Sequence, residues 1–292
     1  MVIRRGLRLA ALALAALLAA SCSVTKLAYM NAAFAYSNAT PMLTWTVSDY
    51  VDLSGPQREF VRERLARAFA WHRADELPEY NRFLESALRQ VEDNLSIEEA
   101  RADYRELRGR YHRMLERVVP DVADFLLQLE SEQAAQMERK FAEDNRKMVA
   151  EATRGSPAAR FERRVKRVLD HLEEFIGPLD GAQRELVARH LGMMEEALEE
   201  RLAERRYRQS ELVALVRAKP PREQAIAALH RLLVQPETWR SPEYMKKIRG
   251  REERLFEMLS ALSATLSAEQ RAFFQRRVRG FMREISELAA GG

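Results

Sequence analysis

From Asp52 to its end the chain is a succession of helix starts with no strand pattern between them. Ser54-Gly-Pro-Gln57, Ser96-Ile-Glu-Glu99, Ser156-Pro157, Asp180-Gly-Ala-Gln183, Ser241-Pro242 and Ser267-Ala-Glu-Gln270 each open a segment. A Ser or Asp before a helix offers an oxygen to an orphan backbone N–H. Proline fits the first helical position because its missing N–H is not needed there. Pro78, Pro120 and Pro220-Pro221 are read as starts for the same reason. The Val/Ile/Thr alternation of a strand does not occur between these caps. The expectation is an all-α fold of about nine helices, built as an antiparallel bundle or an irregular array of helical hairpins. Only 11 glycines in 292 residues, with 32% charged residues, fit that class. Apolar stripes at three- and four-residue steps, such as Val187, Leu191, Met194, Leu198 and Leu202, read as core faces and not as a cofactor site. Glu-to-Arg pairs such as Glu204–Arg208 add about 0.2–0.5 kcal/mol each and mainly solubilise the outer faces.

Three of the starts share a pattern: Leu, a capping residue, two further residues, Gln, then Arg. They are Leu53-Ser54 with Gln57-Arg58, Leu179-Asp180 with Gln183-Arg184, and Leu266-Ser267 with Gln270-Arg271. This is capping-box chemistry, in which the cap oxygen takes the Gln N–H and the Gln side chain reaches back to the cap N–H. Leu95-Ser-Ile-Glu-Glu99 is a weaker version with Glu in place of Gln. The uneven spacing gives no regular solenoid. The pattern resembles the Leu-Thr-x-x-Gln motif of small Spy-type periplasmic chaperones, over a few residues at each match.

The N-terminus reads as an address. Arg4, Arg5 and Arg8 precede an apolar run from Leu9 to Ala20, and Ala19-Ala20-Ser21 leads into Cys22, the single cysteine. Such a run is short for a membrane span, which needs about 20 residues, and has the flanks of a signal. The expectation is a lipoprotein signal peptide over residues 1–21, cleaved before a lipidated Cys22. Ala19 stands where Leu or Val is usual. Ser23 after the cysteine, by resemblance to sorting rules of enteric bacteria, points to the periplasmic face of the outer membrane. Residues 22–51 form a distinct segment. It carries no charge from Leu27 to Ser48 and holds Tyr29, Phe34, Tyr36, Trp45 and Tyr50. It is expected to pack along the helical body, residues 52–292, and to link that body to the lipid. The alternative rests its aromatics in the headgroup layer.

A second resemblance spans more of the chain. The cysteine signal, Tyr29 and Trp45, Tyr50-Val-Asp-Leu53 with Gln57, and Trp71-His72-Arg73 with Glu76-Leu77-Pro78 and Tyr80 resemble a family of uncharacterised proteobacterial lipoproteins. That resemblance implies a helical domain of unknown function and brings no catalytic residues.

Chemistry has one local candidate, the polar corner Trp71, His72, Arg73, Glu76 and Tyr80. His72 and Glu76 stand four apart, so a helix would bring an acid/base imidazole beside a carboxylate. The structural reading of the same residues is preferred: Trp71 buried at a helix junction, Arg73 paired with a carboxylate, Tyr80 packed back. His72, His112, His171, His190 and His230 are scattered, so neither metal nor cofactor is expected. Removing the signal leaves 45 basic against 44 acidic residues. Nucleic acid, which wants a clustered basic excess, is therefore not an expected partner. The expected partners are the membrane, through Cys22, and a protein of the cell envelope. The functional expectation is a macromolecule-binding or chaperone-like helical module that performs no catalysis. An envelope adaptor is the alternative, and an enzyme at His72 ranks below both.

Overall fold

The computed structural model describes residues 38–290. Every regular element among them is helical. They are α1 (Ala39–Ser48), α2 (Gly55–Trp71), a π turn (His72–Glu76), α3 (Leu77–Asp93), α4 (Ile97–Leu127), α5 (Ser131–Thr153), α6 (Pro157–Ile176), α7 (Gly181–Gly192), α8 (Leu198–Ala218), α9 (Arg222–Leu233), a 3-10 turn (Pro236–Thr238), α10 (Pro242–Ser263) and α11 (Ala268–Ala290). Cys22, expected to be lipidated, and the expected signal at residues 1–21 lie outside the described residues. No described helix is long and apolar enough to cross a membrane.

Helix α4 is the axis. Met114, Leu115, Val118, Val119, Val122, Ala123, Phe125 and Leu126 are all buried, so its C-terminal half is enclosed by other helices. Helices α2, α8, α9 and α10 pack against it. Around it α1 lies on α2, α5 on α8, and α11 along α3. A second, smaller core lies between α6, α7 and α10, built on Leu169, Ile176, Val187, Leu191, Met258 and Leu262. Phe175 and Phe274 pack against both cores and join them. At the junction Arg271 donates to Asn94 Oδ1 at 2.7 Å, and the Leu95 N–H donates to Ser263 Oγ at 2.8 Å. Gly177 ends α6 at φ 78°, a conformation that favours glycine, with the Phe273 ring packed at ordinary contact distance beside it.

Four helix boundaries differ from the sequence expectation. Pro120 does not open a helix; it lies inside α4. Pro120 is half-buried and Glu116, whose carbonyl loses its donor, is an exposed residue, so the missing bond lies toward the outer side of α4 and not in its buried face. The break comes instead at Gln128–Glu130. Pro78 does not separate two helices either, because the π turn carries α2 directly into α3 as one rod. The Asp180 helix stops at Gly192, and α8 begins at Leu198, splitting a stripe that reads as continuous. Finally α1 forms within the uncharged segment, with Leu43 and Val47 buried in the first core.

The misplaced break hides a fourth copy of the repeated start, Leu129-Glu130-Ser-Glu-Gln133, with Ala134 in place of the Arg and Glu130 as the cap. The four copies meet in two pairs. Gln57 Nε2 donates to Gln133 Oε1 at 3.1 Å, and Gln133 Nε2 donates back to Gln57 Oε1 at 2.8 Å. Gln183 and Gln270 do the same, at 2.9 Å each way. The second proton of each amide goes to the carbonyl just before the partner's Leu: Gln57 to Gln128, Gln133 to Asp52, Gln183 to Thr265, Gln270 to Pro178. Each Oε1 also accepts the N–H of its own cap, at Ser54, Glu130, Asp180 and Ser267. Every amide is thus used on all four sides, which fixes its orientation. Each pair is a local two-fold clasp between helix N-termini, α2 with α5 and α7 with α11.

A double-mutant cycle tests the pairing. Gln57→Ala and Gln133→Ala should each cost about 1–3 kcal/mol, because each leaves a buried amide partly unsatisfied. Their double variant should cost less than the sum. Gln57→Ala with Gln270→Ala, which share no partner, should add within about 0.5 kcal/mol in urea denaturation.

Candidate functional site

The polar residues singled out in the sequence lie on the π turn. Pro78 has no N–H and its ring would crowd the carbonyl of Ala74 in a regular helix. The chain widens by one residue just before it, and the Leu77 N–H bonds to the His72 carbonyl. The wide turn points His72 and Glu76 inward, and Tyr80 follows one turn later. His72 is 1% exposed, and Glu76 and Tyr80 are also buried. The His72 and Tyr80 rings are 5.8 Å apart. Trp71 is not buried as expected but half-buried. Neighbours on a helix diverge by about 100°, so with His72 filling the inward slot Trp71 stands at its flank, edge-on at 6.5 Å. Arg73 is half-buried on the same turn.

Two arginines of α4, which sequence reasoning missed, complete this cluster. Arg113 Nε donates to Glu76 Oε1 at 3.2 Å. Arg110 is buried, with its guanidinium 3.6 Å from Glu76 Oε2, 3.7 Å from Glu79 and 2.6 Å from Glu106. It also lies 5.5 Å from the Tyr80 ring centre. Glu76 is therefore a buried carboxylate compensated by two cations, and Arg110 a buried cation compensated by three carboxylates. Removing either half of such a group leaves an uncompensated charge. The arrangement clamps the π turn to α4. His72, Glu76, Tyr80 and Arg110 are buried within it, while Arg113 closes it from the exposed side.

Burial lowers the His72 pKa to about 4, so the imidazole is neutral near pH 7. In the unfolded chain it takes a proton near pH 6.5. The unfolded state therefore binds more protons as pH falls from 6.5 toward 4, and the folded state loses ground over that window.

Two further buried polar knots tie helices together. Tyr50 donates to Asp144 Oδ2 at 2.8 Å, with Lys140 3.5 Å from the same carboxylate. Beside it Arg205 donates to Asn145 Oδ1 at 2.6 Å, and Asn145 Nδ2 donates to Gln209 at 2.7 Å. These bonds join the end of α1, α5 and α8. Above them an open cleft of about 570 Å³ lies between residues 48–52 and α5, with Ser48, Asp52, Arg139, Lys140, Glu143 and Arg146 in its walls. The other knot is centred on Glu204, which takes Arg240 at 2.6 Å under the Trp239–Tyr207 ring pair. Burial and then the Glu204 charge push the nearby Tyr244 phenol up to about 12. None of these long-range groupings has a local sequence signature; only their burial reveals them.

Among the described residues the large apolar side chains left exposed are Trp45, Phe161 and Met193. The Phe161 ring lies 3.8 Å from where a Gly192 Cβ would be, one residue before Met193 in the chain. Arg164 lies 5.4 Å from the Phe161 ring centre and donates to the Leu191 carbonyl.

The model of a family of unknown function, DUF6279, matches residues 49–245, and the chain belongs to that family. No curated protein and no solved structure matches. The matched residues hold the π turn, the Arg110 clamp and three of the four clasp glutamines; Gln270 lies beyond them.

The pH window tests the site as a fold lock. Between pH 7 and pH 4 burial of neutral His72 should cost the native state about 3 kcal/mol, since each tenfold loss of proton affinity on folding is worth about 1.4 kcal/mol. His72→Gln should remove that part of the acid sensitivity in paired urea titrations. Identical pH slopes for both proteins would count against a buried, neutral His72.

Proposed function

We propose that this member of a family of unknown function is a lipid-tethered adaptor of the bacterial envelope that presents its second core to a protein partner. The observation that carries the reading is the Phe161–Met193 patch. An exposed aromatic ring, an adjacent methionine and an arginine at the ring are the residue types enriched where proteins bind one another. Met193 follows directly on α7, and the adjoining turn is held by Arg251, which donates to the Glu195 carbonyl at 2.5 Å. The patch is small and its surroundings are charged. That favours docking of one defined partner over a chaperone's broad apolar face, despite the resemblance of the clasp motifs to Spy-type proteins. The burial of His72, Glu76 and Tyr80 favours a binding role over a catalytic one.

The address follows from the sequence and not from the described residues. A basic start, an apolar run and a lone Cys22 behind small residues are what a lipoprotein peptidase uses, and the resemblance to proteobacterial lipoproteins points the same way. Three acyl chains give a firm anchor, at about 0.8 kcal/mol per buried CH₂. The reading places the chain on the periplasmic face of the outer membrane, with neither cofactor nor nucleic acid involved.

Two measurements test it. Cys22→Ser should abolish acyl labelling in cells; labelling that persists contradicts the tether. A photocrosslinking residue at Met193 should give a discrete adduct in cells that Phe161→Asp removes while leaving the melting temperature unchanged. An adduct that survives Phe161→Asp, or none above that from an exposed position such as Glu59, contradicts the docking patch.

A further inference from the structure

Helix α1 has one face locked into the first core, and on the opposite face, among the described residues, Trp45 is left exposed. Ala39, Leu43, Thr44 and Val47 are buried, so the helix has one fixed rotation about its axis. Trp45 is held outward and is 62% exposed, the most exposed of the large apolar side chains described. Its face is shared by the residues three and four positions away, Pro41 and Met42 before it, Ser48 and Asp49 after it. Pro41 is exposed, Met42 is half-buried, and no charge occurs in this stripe until Asp49.

Cations gather where the stripe ends. Arg58 donates to Ser48 Oγ at 3.3 Å. Ser48 is also the near edge of the open cleft whose far wall carries Arg139, Lys140 and Arg146. Asp49, Asp52 and Glu143 line the same cleft; Glu143 is held by Lys147, Arg139 by Glu132 and Lys140 by Asp144, so the cations there are matched in number by acids and Arg58 adds one more at Ser48. An indole on an uncharged helix face, bordered by Arg and Lys, is complementary to a phospholipid surface. The ring suits the headgroup layer and the cations suit its phosphates. The chain leading into this face is itself uncharged from Leu27, and Cys22 stands just upstream.

We infer that the Trp45 face of α1 lies against the headgroup layer of a phospholipid bilayer. The body then rests on the membrane in one orientation instead of swinging freely from its lipid. The choice of a bilayer as occupant rests on the tether reading above. Trp45 needs no contact within the protein to hold this place, because the buried side of α1 already sets its direction.

The test uses the processed full chain in vesicles of phosphatidylethanolamine and phosphatidylglycerol, compared with Trp45→Phe. Lipids brominated near the carbonyl end of their acyl chains should quench a share of the tryptophan emission that the variant lacks. Iodide in the surrounding solution should lose access to that same share. A Trp45 share still open to iodide and untouched by bromine overturns the inference. So does a share shielded from both, which would mean that protein covers the ring. The mass of the N-terminal peptide reports the acyl group separately. Acylated Cys22 without bromine quenching defeats the docking and leaves the tether. Quenching with an unmodified Cys22 defeats the tether and leaves the docking.

Discussion

Two helix N-termini meet at each of two places in this chain, and each meeting is closed by a pair of glutamine amides. Such a meeting is unfavourable at first sight. Helix N-termini carry partial positive charge and unpaired N–H groups, and two of them face each other. The Gln oxygens answer both problems, since each accepts its own cap N–H and the partner's amide proton. The amide nitrogens then tie down the carbonyl that precedes each partner helix. One clasp sets α2 against α5 within the first core; the other sets α7 against α11. Helix α11 also lies along α3, so the second clasp connects the smaller core to the larger.

The glutamine motif was legible because it is local. Leu53, Leu179 and Leu266 each precede a cap and a Gln at fixed spacing, and the hydrogen bonds inside each box follow from that spacing. The pairing was not legible, because nothing in five residues says which box will meet which. The fourth copy escaped for a different reason. Glu130 replaces the usual Ser or Asp cap, and Pro120 offered a more familiar helix start ten residues earlier. Proline misled twice, at Pro78 and Pro120, and both times tertiary context prevailed. A π turn absorbed one ring, and the other lies in α4 next to the exposed residue Glu116. The end of α7 also passed unseen, since Met194 and Leu198 continue the apolar stripe across the break.

The polar corner shows the same division. His72, Glu76 and Tyr80 were recognisable as a group, and the structure brings them to one inward face. Their partners Arg110 and Arg113 come from α4 and had no signature beside the other arginines of the chain. Beside those arginines the cluster is a clamp: a buried carboxylate and a buried guanidinium, each compensated, with a neutral imidazole packed against them. Buried ions of this kind add little net stability but are costly to break. They specify one register of the α2–α3 rod on α4. The polar interior thus serves the fold, and the groups free to meet other molecules lie outside it, with Trp45 and the Phe161–Met193 patch on different cores. On the reading proposed above, these two exposed places are where the chain would meet lipid and a partner.

Four glutamine side chains act as structural bonds here, and their own protons report on it. The side-chain amide protons of Gln57, Gln133, Gln183 and Gln270 should exchange with solvent far more slowly than those of the exposed Gln224 and Gln235. Nuclear Overhauser contacts should run from Gln57 to Gln133 and from Gln183 to Gln270. Exchange as fast as at Gln224, or contacts in any other pairing, would contradict the account.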